Sequence, residues 1–501
     1  MARGLLVAGT TSDAGKSLVT AALCRWLARN GVRVAPFKAQ NMSNNSMVCR
    51  DGAEIGRAQW VQARACRAEP EAAMNPVLLK PGSDHRSHVV LMGRPWGELR
   101  SGEFATGRTV LAESAFRAFA DLSSRYDVVI AEGAGSPAEI NLRAGDYVNM
   151  GLARAADLPV VVVGDIDRGG VLAAMYGTLA LLDDDDQAHI RGWVVNKFRG
   201  DLGLLQPGLR MLEERSARPV LGVLPYLQDV WLDGEDSLAL AGWSEAARGH
   251  PAAATLSVAV VRFPRISNAT DVDALAAEPG VSVRVTADPS EVAAADLVVL
   301  PGSRSTLSDL AWMRSRGLDV AVLERAAQRR PVLGICGGYQ MLAGTVDDSA
   351  AVESPVPASV RGLGLLPTQV RFAPEKQLGT PAGSWRGHEV TAYEIHHGVA
   401  TLAGAGGTTA EPAAEPAAEP FLDGWNVGAT YGTTWHGAFE NDRFRRTFLA
   451  EVARLTGVPW RPAHGAPGFA ARREVMLERL ADAVEEHLDT RALARLIGVD
   501  L

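Results

Sequence analysis

Short apolar runs alternate with helical patterns over the first 228 residues of the chain. The runs lie at Gly4–Ala8, Val32–Pro36, Val128–Ala131, Pro159–Val163 and Gly192–Val195. Each run has the length of a strand, and the stretches between them are long enough for helices. This alternation predicts a parallel sheet with helices on both faces. Residues 1–228 are therefore predicted to form a doubly wound α/β domain.

A second alternating series follows in the C-terminal half of the chain. Its apolar runs lie at Leu256–Arg262, Val281–Val285, Asp296–Leu300 and Val332–Ile335. Between the two series, residues 229–254 show no sustained hydrophobic period and are predicted to be a linker. We therefore expect two doubly wound α/β domains in tandem, the second spanning residues 255–460.

Two segments depart from this alternation. Residues 403–420 contain an Ala-Glu-Pro-Ala repeat, which cannot bury a core and predicts a solvent loop without a chemical role. Arg472 to Ile497 carries apolar residues at helical spacing with a charged opposite face. That pattern predicts a packed terminal helix within a C-terminal helical extension, residues 461–501.

Composition narrows the class of protein. The chain has 501 residues, of which 47% are hydrophobic and 22% charged, as in ordinary globular proteins. The net charge of −8 argues against a nucleic-acid partner. The longest apolar stretches are too short for a membrane span, and Arg3 to Gly9 lacks the features of a secretory leader. The four cysteines show no disulfide or metal spacing, so we expect a cytoplasmic protein and leave homo-oligomerisation open.

A phosphate loop follows the first apolar run. The residues are Gly9-Thr10-Thr11-Ser12-Asp13-Ala14-Gly15-Lys16-Ser17, and a helix is predicted from Ser17 to Asn30. Backbone N–H groups of such a loop cradle phosphate, while Lys16 reaches the terminal phosphates of ATP and Ser17 binds Mg²⁺. Gly9 lies one residue earlier than in the standard motif, a variant that resembles the loop of the dethiobiotin synthetase group.

Carboxylates at the ends of later strands are candidate metal ligands. Glu132 ends one strand of the predicted sheet, and Asp165 and Asp167 follow another. Open α/β sheets bind ligands at the carboxyl ends of their strands. Glu132 is therefore expected to hold Mg²⁺ together with Ser17, with the two aspartates as rivals for the same position.

Several cationic side chains flank the strand ends of the same domain and predict a pocket for anions. They are Lys38, Lys80, Arg86, Arg168, Lys197 and Arg199. Taken singly, each of them is as easily a solvated surface charge. As residues that contact the substrate or phosphate we select Lys38, Asn41, Arg168 and Lys197.

Cys336 lies in a turn suited to nucleophilic attack. Val332 to Ile335 predicts a buried strand and Tyr339 begins a helix, so Cys336 occupies a sharp strand-to-helix elbow. Gly334 and Gly338 keep the elbow free of side chains, and the helix start favours the thiolate. We predict that Cys336 is a nucleophile rather than a buried structural thiol.

The thiol needs a base and an oxyanion hole. His436, in Thr434-Trp435-His436-Gly437, is the best candidate base, with His396 and His397 as rivals. The N–H of Gly337 and that of Gly302 or Ser303 are expected to stabilise the oxyanion. Gln340 lies one turn into the helix and is expected to orient the amide of glutamine.

The longer motifs of the chain resemble those of the glutamine-dependent cobyric acid synthase family, the corrin-ring amidotransferases of cobalamin biosynthesis. The resemblance covers nearly the whole chain. Besides the phosphate loop and the elbow, it is carried by Pro36–Ser46, Glu54–Gln59, Met74–Pro76, Glu132–Leu142, Gly164–Gly170, Asn196–Asp201, Pro301–Thr306 and Thr434–Asn441.

The resemblance implies a P-loop NTPase-like N-terminal domain and a class I glutaminase-like C-terminal domain. It implies ATP- and Mg²⁺-dependent amidation of adenosylcobyrinic acid a,c-diamide at the b, d, e and g carboxylates. L-Glutamine would supply ammonia, with Cys336 as nucleophile and His436 as base. Class I glutaminases usually carry Glu two residues after the histidine, but that position is Ala438 here. The third member of the triad is therefore open, and Glu440 is a weak candidate.

Three other functions are alternatives to this one. The sister enzyme that amidates the a and c carboxylates shares both domains, but the Lys38–Ser46 stretch argues against it. A nucleotide-dependent regulatory protein with an inert glutaminase domain would not need the intact Cys336, His436 and Gly302. Amidation of another polycarboxylate by a similar pair of domains is a further alternative.

Overall fold

The computed structural model describes residues 3–83, 86–100, 104–227, 230, 256–403 and 417–501. The chain folds into two compact units. The first comprises Met1–Ser43, Cys49–Asp233 and Arg472–Leu501, and the second comprises Asn44–Val48 and Gly234–Ala471. This grouping places a short N-terminal segment in the second unit and the C-terminal helices in the first. The domain bounds predicted from the sequence, residues 1–228 and 255–460, stay a prediction.

The first unit is built on a parallel sheet of six strands. Across the sheet their order is Val220–Pro225, Ile190–Phe198, Val160–Asp165, Gly4–Gly9, Val128–Glu132 and Val34–Phe37. Alternate residues of the first strand enter different cores, Leu6 and Ala8 on one face and Leu5 and Val7 on the other. Both faces are therefore covered, and the doubly wound α/β prediction is confirmed.

Helices and a smaller sheet complete the first unit. The helices before the C-terminal pair are Lys16–Arg29, Arg57–Ala65, Phe104–Arg125, Met150–Ala156, Val171–Ala180, Asp184–His189 and Leu202–Ser216, with 3-10 helices at Ala72–Met74 and Ile140–Gly145. The smaller sheet contains Gln40–Met42, Val77–Ser83, Arg86–Leu91 and Arg94–Arg100, and Glu54–Gly56 is a further short strand.

The C-terminal extension forms two helices, Phe469–His487 and Thr490–Ile497, where the sequence pattern predicted one. The break follows from Asp489, whose side chain accepts a hydrogen bond from the Ala492 N–H and starts a new helix. Apolar residues of both helices enter one core of the parallel sheet. Buried Arg25 also binds Glu474 and Glu478, at 2.9 and 3.0 Å, which ties the extension to the first unit.

The second unit contains a sheet of seven strands. Their order is Val281–Thr286, Leu256–Val261, Leu297–Leu300, Val332–Ile335, Thr430–Thr433, Gly424–Val427 and Glu419–Phe421. The first five are parallel, and the last two extend the edge antiparallel. The predicted elbow strand therefore lies in the middle of the sheet.

The remaining elements of the second unit surround this sheet. The strands are Ser46–Val48, Thr345–Asp348, Ala358–Arg361, Thr368–Gly379, Ala382–Trp385, His388–Thr391 and Glu394–Leu402. The helices are Asp273–Ala276, Pro289–Ala294, Thr306–Ser315, Leu318–Ala327, Gly337–Leu342 and Asp442–Thr456, with 3-10 helices at Ala269–Val272 and Ala438–Glu440.

Two predicted connections lie largely outside the described residues. Of the 229–254 linker only residue 230 is described, and residues 404–416 of the 403–420 loop are not. The end of that loop enters the edge strand Glu419–Phe421. Within the described ranges, no helix is both long and apolar enough to cross a membrane.

Candidate functional site

The phosphate-loop sequence forms a tight turn between the first strand and the first helix. Gly9 ends the strand, and the next N–H, of Thr10, donates to the carbonyl of Val163 at 2.9 Å. Gly15 adopts a left-handed φ of 96°, and a Cβ there would come within 2.0 Å of the Asn196 amide nitrogen. Only glycine fits at this position, directly before the helix that begins at Lys16.

The ammonium of Lys16 lies inside this turn. Its Nζ donates to the carbonyls of Thr11, Ser12 and Gly135 at 2.8, 3.1 and 3.1 Å. The side chain is buried, so its charge is poorly screened by water. A buried cation within a loop at a helix start is suited to bind the phosphates of a nucleotide.

Glu132 places its carboxylate beside the phosphate-loop serine. Its Oε1 accepts from Ser17 Oγ at 2.8 Å and from Lys38 Nζ at 2.9 Å, while Oε2 accepts from Gln62 Nε2 at 2.5 Å. The carboxylate is fully buried at the end of its strand. Ser17 and Glu132 thus present two hard oxygen donors side by side, the ligand type that Mg²⁺ prefers.

The rival carboxylates have other partners. Asp165 pairs with Lys197 at 2.7 Å, and Asp167 pairs with Arg199 at 3.3 Å. In the described part of the chain, no group of three or more His, Cys, Asp or Glu side chains forms a ready-made metal site. A metal at Ser17 and Glu132 would therefore need further ligands from phosphate and water.

The predicted cations divide into two groups. Lys197 Nζ donates to the Asp13 carbonyl at 2.9 Å, and Arg168 binds the Asp13 carboxylate at 2.9 Å, so both contact the phosphate loop. Lys38 joins the same region through Glu132. Lys80 instead forms a buried ion pair with Glu54.

Asn41 binds elsewhere among the polar residues of this unit. Its Nδ2 donates to Gln59 Oε1 at 2.9 Å, and both side chains are buried. The structure thus brings Lys38, Arg168 and Lys197 to the loop residues, but it holds Asn41 in an internal amide pair.

Cys336 occupies the elbow that its glycines predict. The residue has φ 50° and ψ −111°, an unusual conformation for a residue with a side chain, between the strand that ends at Ile335 and the helix that begins at Gly337. A Cβ on Gly338 would lie 1.9 Å from the Leu300 carbonyl oxygen. The elbow therefore depends on glycine, and its strained backbone matches that of nucleophile turns.

His436 is held by a buried carboxylate. Its Nδ1 lies 2.6 Å from Oδ2 of Asp271, whose Oδ1 accepts from the Gly437 N–H at 2.8 Å. Burial alone lowers the pKa of His436, but the neighbouring Asp271 and Cys336, with the hydrogen bond to Asp271, raise it to about 10. The arrangement therefore favours the protonated imidazole of His436 at neutral pH.

Asp271 was not predicted from the sequence as the carboxylate partner of His436. It lies in the 3-10 helix Ala269–Val272, far from both Cys336 and His436 along the chain. The carboxylate on His436 Nδ1 is thus not that of Glu440, although Glu440 follows His436 closely. The available signal was a polar Ser-Asn-Ala-Thr-Asp turn soon after the first strand of the second series.

The rival histidines bind backbone carbonyls. Nδ1 of His396 lies 2.9 Å from the Gly398 oxygen, and Nδ1 of His397 lies 3.1 Å from the Ala373 oxygen. Burial lowers the pKa of His397 to about 4, so this ring is neutral at physiological pH. Nε2 of His396 also lies 3.5 Å from a carboxylate oxygen of Glu394, a longer contact than the 2.6 Å between His436 and Asp271.

The two glycine loops proposed for the oxyanion hole meet at the triad. A Cβ on Gly302 would lie 3.1 Å from His436 Cε1, and a Cβ on Gly337 would lie 2.7 Å from the Ser303 nitrogen. Ser303 Oγ donates to Asp309 at 2.6 Å, which fixes the loop. The loops of Gly302–Ser303 and Gly337 are therefore packed directly against each other beside His436.

Gln340 is buried with its side-chain amide engaged. Its Oε1 accepts from Thr306 Oγ1 at 3.2 Å, and its Nε2 donates weakly to the Gly398 carbonyl at 3.4 Å. The Gly398 and Ile395 carbonyls belong to one strand, and Ile395 O lies 3.9 Å from Cys336 Sγ. Gln340 thus anchors the strand that passes the thiol.

Comparison with known proteins finds a matching family for each half of the chain. A family described as the CobQ/CobB/MinD/ParA nucleotide binding domain matches residues 5–238, and the CobB/CobQ-like glutamine amidotransferase domain matches residues 257–444. A cobyric acid synthase of Cutibacterium acnes is 58% identical over 495 residues, which cover 99% of each chain. One from Mycolicibacterium gilvum is 59% identical over 98% of this chain and 96% of its own.

Such identity along nearly the full length of both chains exceeds what a shared fold alone would produce. Together with the amidotransferase domain it makes the protein a glutamine-hydrolysing ligase. The chain belongs to the cobyric acid synthase family.

Proposed function

We propose that the protein converts adenosylcobyrinic acid a,c-diamide to cobyric acid, using ATP, Mg²⁺ and L-glutamine to amidate the b, d, e and g carboxylates. The observation that carries this proposal is the joint presence of the Cys336, His436 and Asp271 arrangement and of a phosphate loop in one chain. The similarity to cobyric acid synthases indicates the product. Four free, buried cysteines support a cytoplasmic site for this chemistry.

The first half-reaction releases ammonia. The Cys336 thiolate attacks the side-chain amide carbon of glutamine, and the N–H groups of Gly337 and of Gly302 or Ser303 stabilise the oxyanion. His436 then protonates the amide nitrogen, the C–N bond breaks and ammonia leaves. The acyl carbon remains bonded to Cys336 Sγ as a thioester. Water, deprotonated by His436, hydrolyses the thioester to glutamate and restores the thiolate. Asp271 keeps the imidazole oriented throughout.

The second half-reaction activates a carboxylate, which is a poor electrophile by itself. A substrate carboxylate oxygen attacks the terminal phosphorus of ATP, ADP leaves, and an acyl phosphate forms. Lys16 and the loop N–H groups hold the phosphates during this transfer. Ammonia then attacks the acyl carbon and phosphate leaves, so an amide forms.

Mg²⁺ fits the oxygen donors that the phosphate loop presents. Ser17 Oγ and Glu132 Oε1 lie 2.8 Å apart, and both are ligand types of a hard cation. When bound, Mg²⁺ would neutralise phosphate charge during transfer. The ammonium of Lys38, 2.9 Å from the same oxygen, keeps Glu132 in place and adds positive charge near the transferring group.

Product mass tests the proposal. With glutamine, ATP, Mg²⁺ and adenosylcobyrinic acid a,c-diamide, each amidation should replace a hydroxyl by an amino group, in steps that end at cobyric acid. Cys336→Ala should lose this activity with glutamine and keep it with added ammonium. An unchanged substrate mass under both nitrogen sources would overturn the proposed reaction.

A further inference from the structure

A short piece of the N-terminal sequence belongs to the second unit. The chain leaves the first unit after Ser43 and returns to it at Cys49, so Asn44–Val48, the inserted segment, lies within the second. Asn45 and Ser46 are buried there. None of the chemistry described above uses these residues.

Two hydrogen bonds join the inserted segment to the loop before Asp271. The Ser46 N–H donates to Asn268 Oδ1 at 2.9 Å, and the Ala269 N–H donates to Asn45 Oδ1 at 3.1 Å. All four residues are buried. The side-chain oxygen of each asparagine thus accepts a hydrogen bond from a backbone N–H of the opposite segment. This pair of bonds fixes the loop against the inserted segment in one register.

Asn45 acts as a cap for a helix distant in sequence. The 3-10 helix Ala269–Val272 begins after Asn268, which has a left-handed φ of 49° and makes no side-chain cap of its own. The first N–H of a helix lacks an internal acceptor. Asn45 supplies that acceptor, so the start of this helix depends on the inserted segment.

The same loop connects two parts of the glutaminase site. Ser267, at its beginning, donates its N–H to the Gly302 carbonyl at 2.9 Å. Asp271, two residues after Ala269, holds His436 at 2.6 Å. The bonds from Asn45 and Ser46 therefore fix the loop midway between the oxyanion glycines and the triad carboxylate.

An apolar contact adds to these bonds. Val48 packs against Tyr393 and Ile395. The Tyr393 ring stacks on the ring of His436, with centroids 5.3 Å apart, and the Ile395 carbonyl lies 3.9 Å from Cys336 Sγ. The inserted segment thus contacts neighbours of the base and of the nucleophile as well as the loop of Asp271.

We propose that the inserted segment is a positioning element of the glutaminase site and that Asn45 is its principal positioning residue. This inference rests on the proposed roles of Cys336, His436 and Asp271. The N-terminal sequence then contributes to glutamine hydrolysis without touching glutamine, because it sets where Asp271 holds the imidazole. Asn45 is expected to affect turnover rather than glutamine binding.

Asn45→Ala tests the proposal, with Asn44→Ala as the matched control. The side-chain oxygen of Asn44 is buried but has no hydrogen-bond partner among the described residues. Asn45→Ala should lower kcat for glutamine hydrolysis at least about tenfold, because a catalytic group displaced by roughly 1 Å can lose about 100-fold in rate. KM for glutamine should stay within about twofold, and Asn44→Ala should match the wild type.

Two further readouts separate positioning from general stability. Amidation with added ammonium, measured on the same preparation of Asn45→Ala, should equal that of the wild type, since the first unit is untouched. In an Asp271→Asn background, Asn45→Ala should cause no further loss, because both changes act through one contact. The basic limb of the pH–rate profile should also move to lower pH in Asn45→Ala, as the carboxylate loosens from His436.

The opposite results would overturn the inference. They are equal losses in Asn44→Ala and Asn45→Ala, a parallel loss of ammonium-dependent amidation, or additive losses in the double variant. A wild-type protein that fails to hydrolyse glutamine would contradict the proposed function itself. That failure is distinguishable, because it appears before any variant is made.

Discussion

Oδ2 of Asp271 lies 2.6 Å from Nδ1 of His436, and both side chains are buried. This contact completes a thiol, imidazole and carboxylate arrangement in which the carboxylate comes from an N-terminal loop of the second unit. The glutaminase pattern considered in the sequence analysis has a glutamate two residues after the histidine, where this chain has Ala438. The carboxylate that contacts His436 thus comes from a different part of the sequence.

Asp271→Asn should lower kcat for glutamine hydrolysis by about 100-fold or more, because an amide no longer stabilises the imidazolium and can favour the wrong tautomer. The rate of glutamate release measures this effect. Glu440→Gln is the matched control and should remain within about twofold of the wild type. A large loss in Glu440→Gln with little change in Asp271→Asn would show that Glu440 is the third member after all.

The sequence predicted the nucleophile and the base more readily than the carboxylate, for a physical reason. Cys336 lies among glycines that a sharp elbow requires, so the neighbouring residues predict the turn. Asp271 has no such signature, since a 3-10 turn with a buried aspartate occurs in many folds. Its role comes from a contact between residues 165 positions apart, which only the folded chain brings together.

The position of the C-terminal helices also could not be predicted from the sequence. Their apolar spacing predicted packing, but it carried no information on which core they join. The ion pairs of buried Arg25 with Glu474 and Glu478 help to fix this position, because a buried cation is stable only when it is paired. Strands of the parallel sheets were easier to predict from the sequence than the position of these helices. Continuous apolar runs are typical of strands buried on both faces.

The stability that His436 contributes should fall as pH rises. Its pKa in the folded protein is about 10, above the ordinary value of 6.5. The interaction is therefore fully present below about pH 6.5 and is lost as pH rises through about 10. The difference in urea midpoint between wild type and His436→Gln should be larger at pH 7 than at pH 10. Parallel pH dependence of the two proteins would contradict the raised pKa.

Ser17→Ala should weaken the response to Mg²⁺. Loss of one ligand oxygen is expected to raise the Mg²⁺ concentration for half-maximal ADP formation about tenfold. Asp167→Asn provides the control, because Asp167 pairs with Arg199 at 3.3 Å and not with Ser17. A shift in Asp167→Asn without one in Ser17→Ala would assign the metal to the rival carboxylate.

Arg445→Met should destabilise the second unit. The Arg445 guanidinium is buried against Glu278 at 2.6 Å, and Glu278 is itself buried. Removing one partner leaves a buried carboxylate with only Arg446, which should lower the free energy of unfolding by about 3 kcal/mol. Denaturant unfolding measures the loss. Arg454 is the control, because its side chain is exposed and its partner Glu451 also pairs with Arg386. Arg454→Met should therefore leave the midpoint nearly unchanged.

We propose that Cys336 releases the side-chain nitrogen of glutamine and that the ATP-dependent site attaches this nitrogen to the corrin carboxylates. Glutamine labelled with ¹⁵N in its side-chain amide, supplied with ATP, Mg²⁺ and adenosylcobyrinic acid a,c-diamide, tests it most directly. We expect the wild type to form cobyric acid whose new amides carry ¹⁵N. We expect no labelled product from Cys336→Ala. New amides without ¹⁵N in the wild type, or labelled amides from Cys336→Ala, would contradict it.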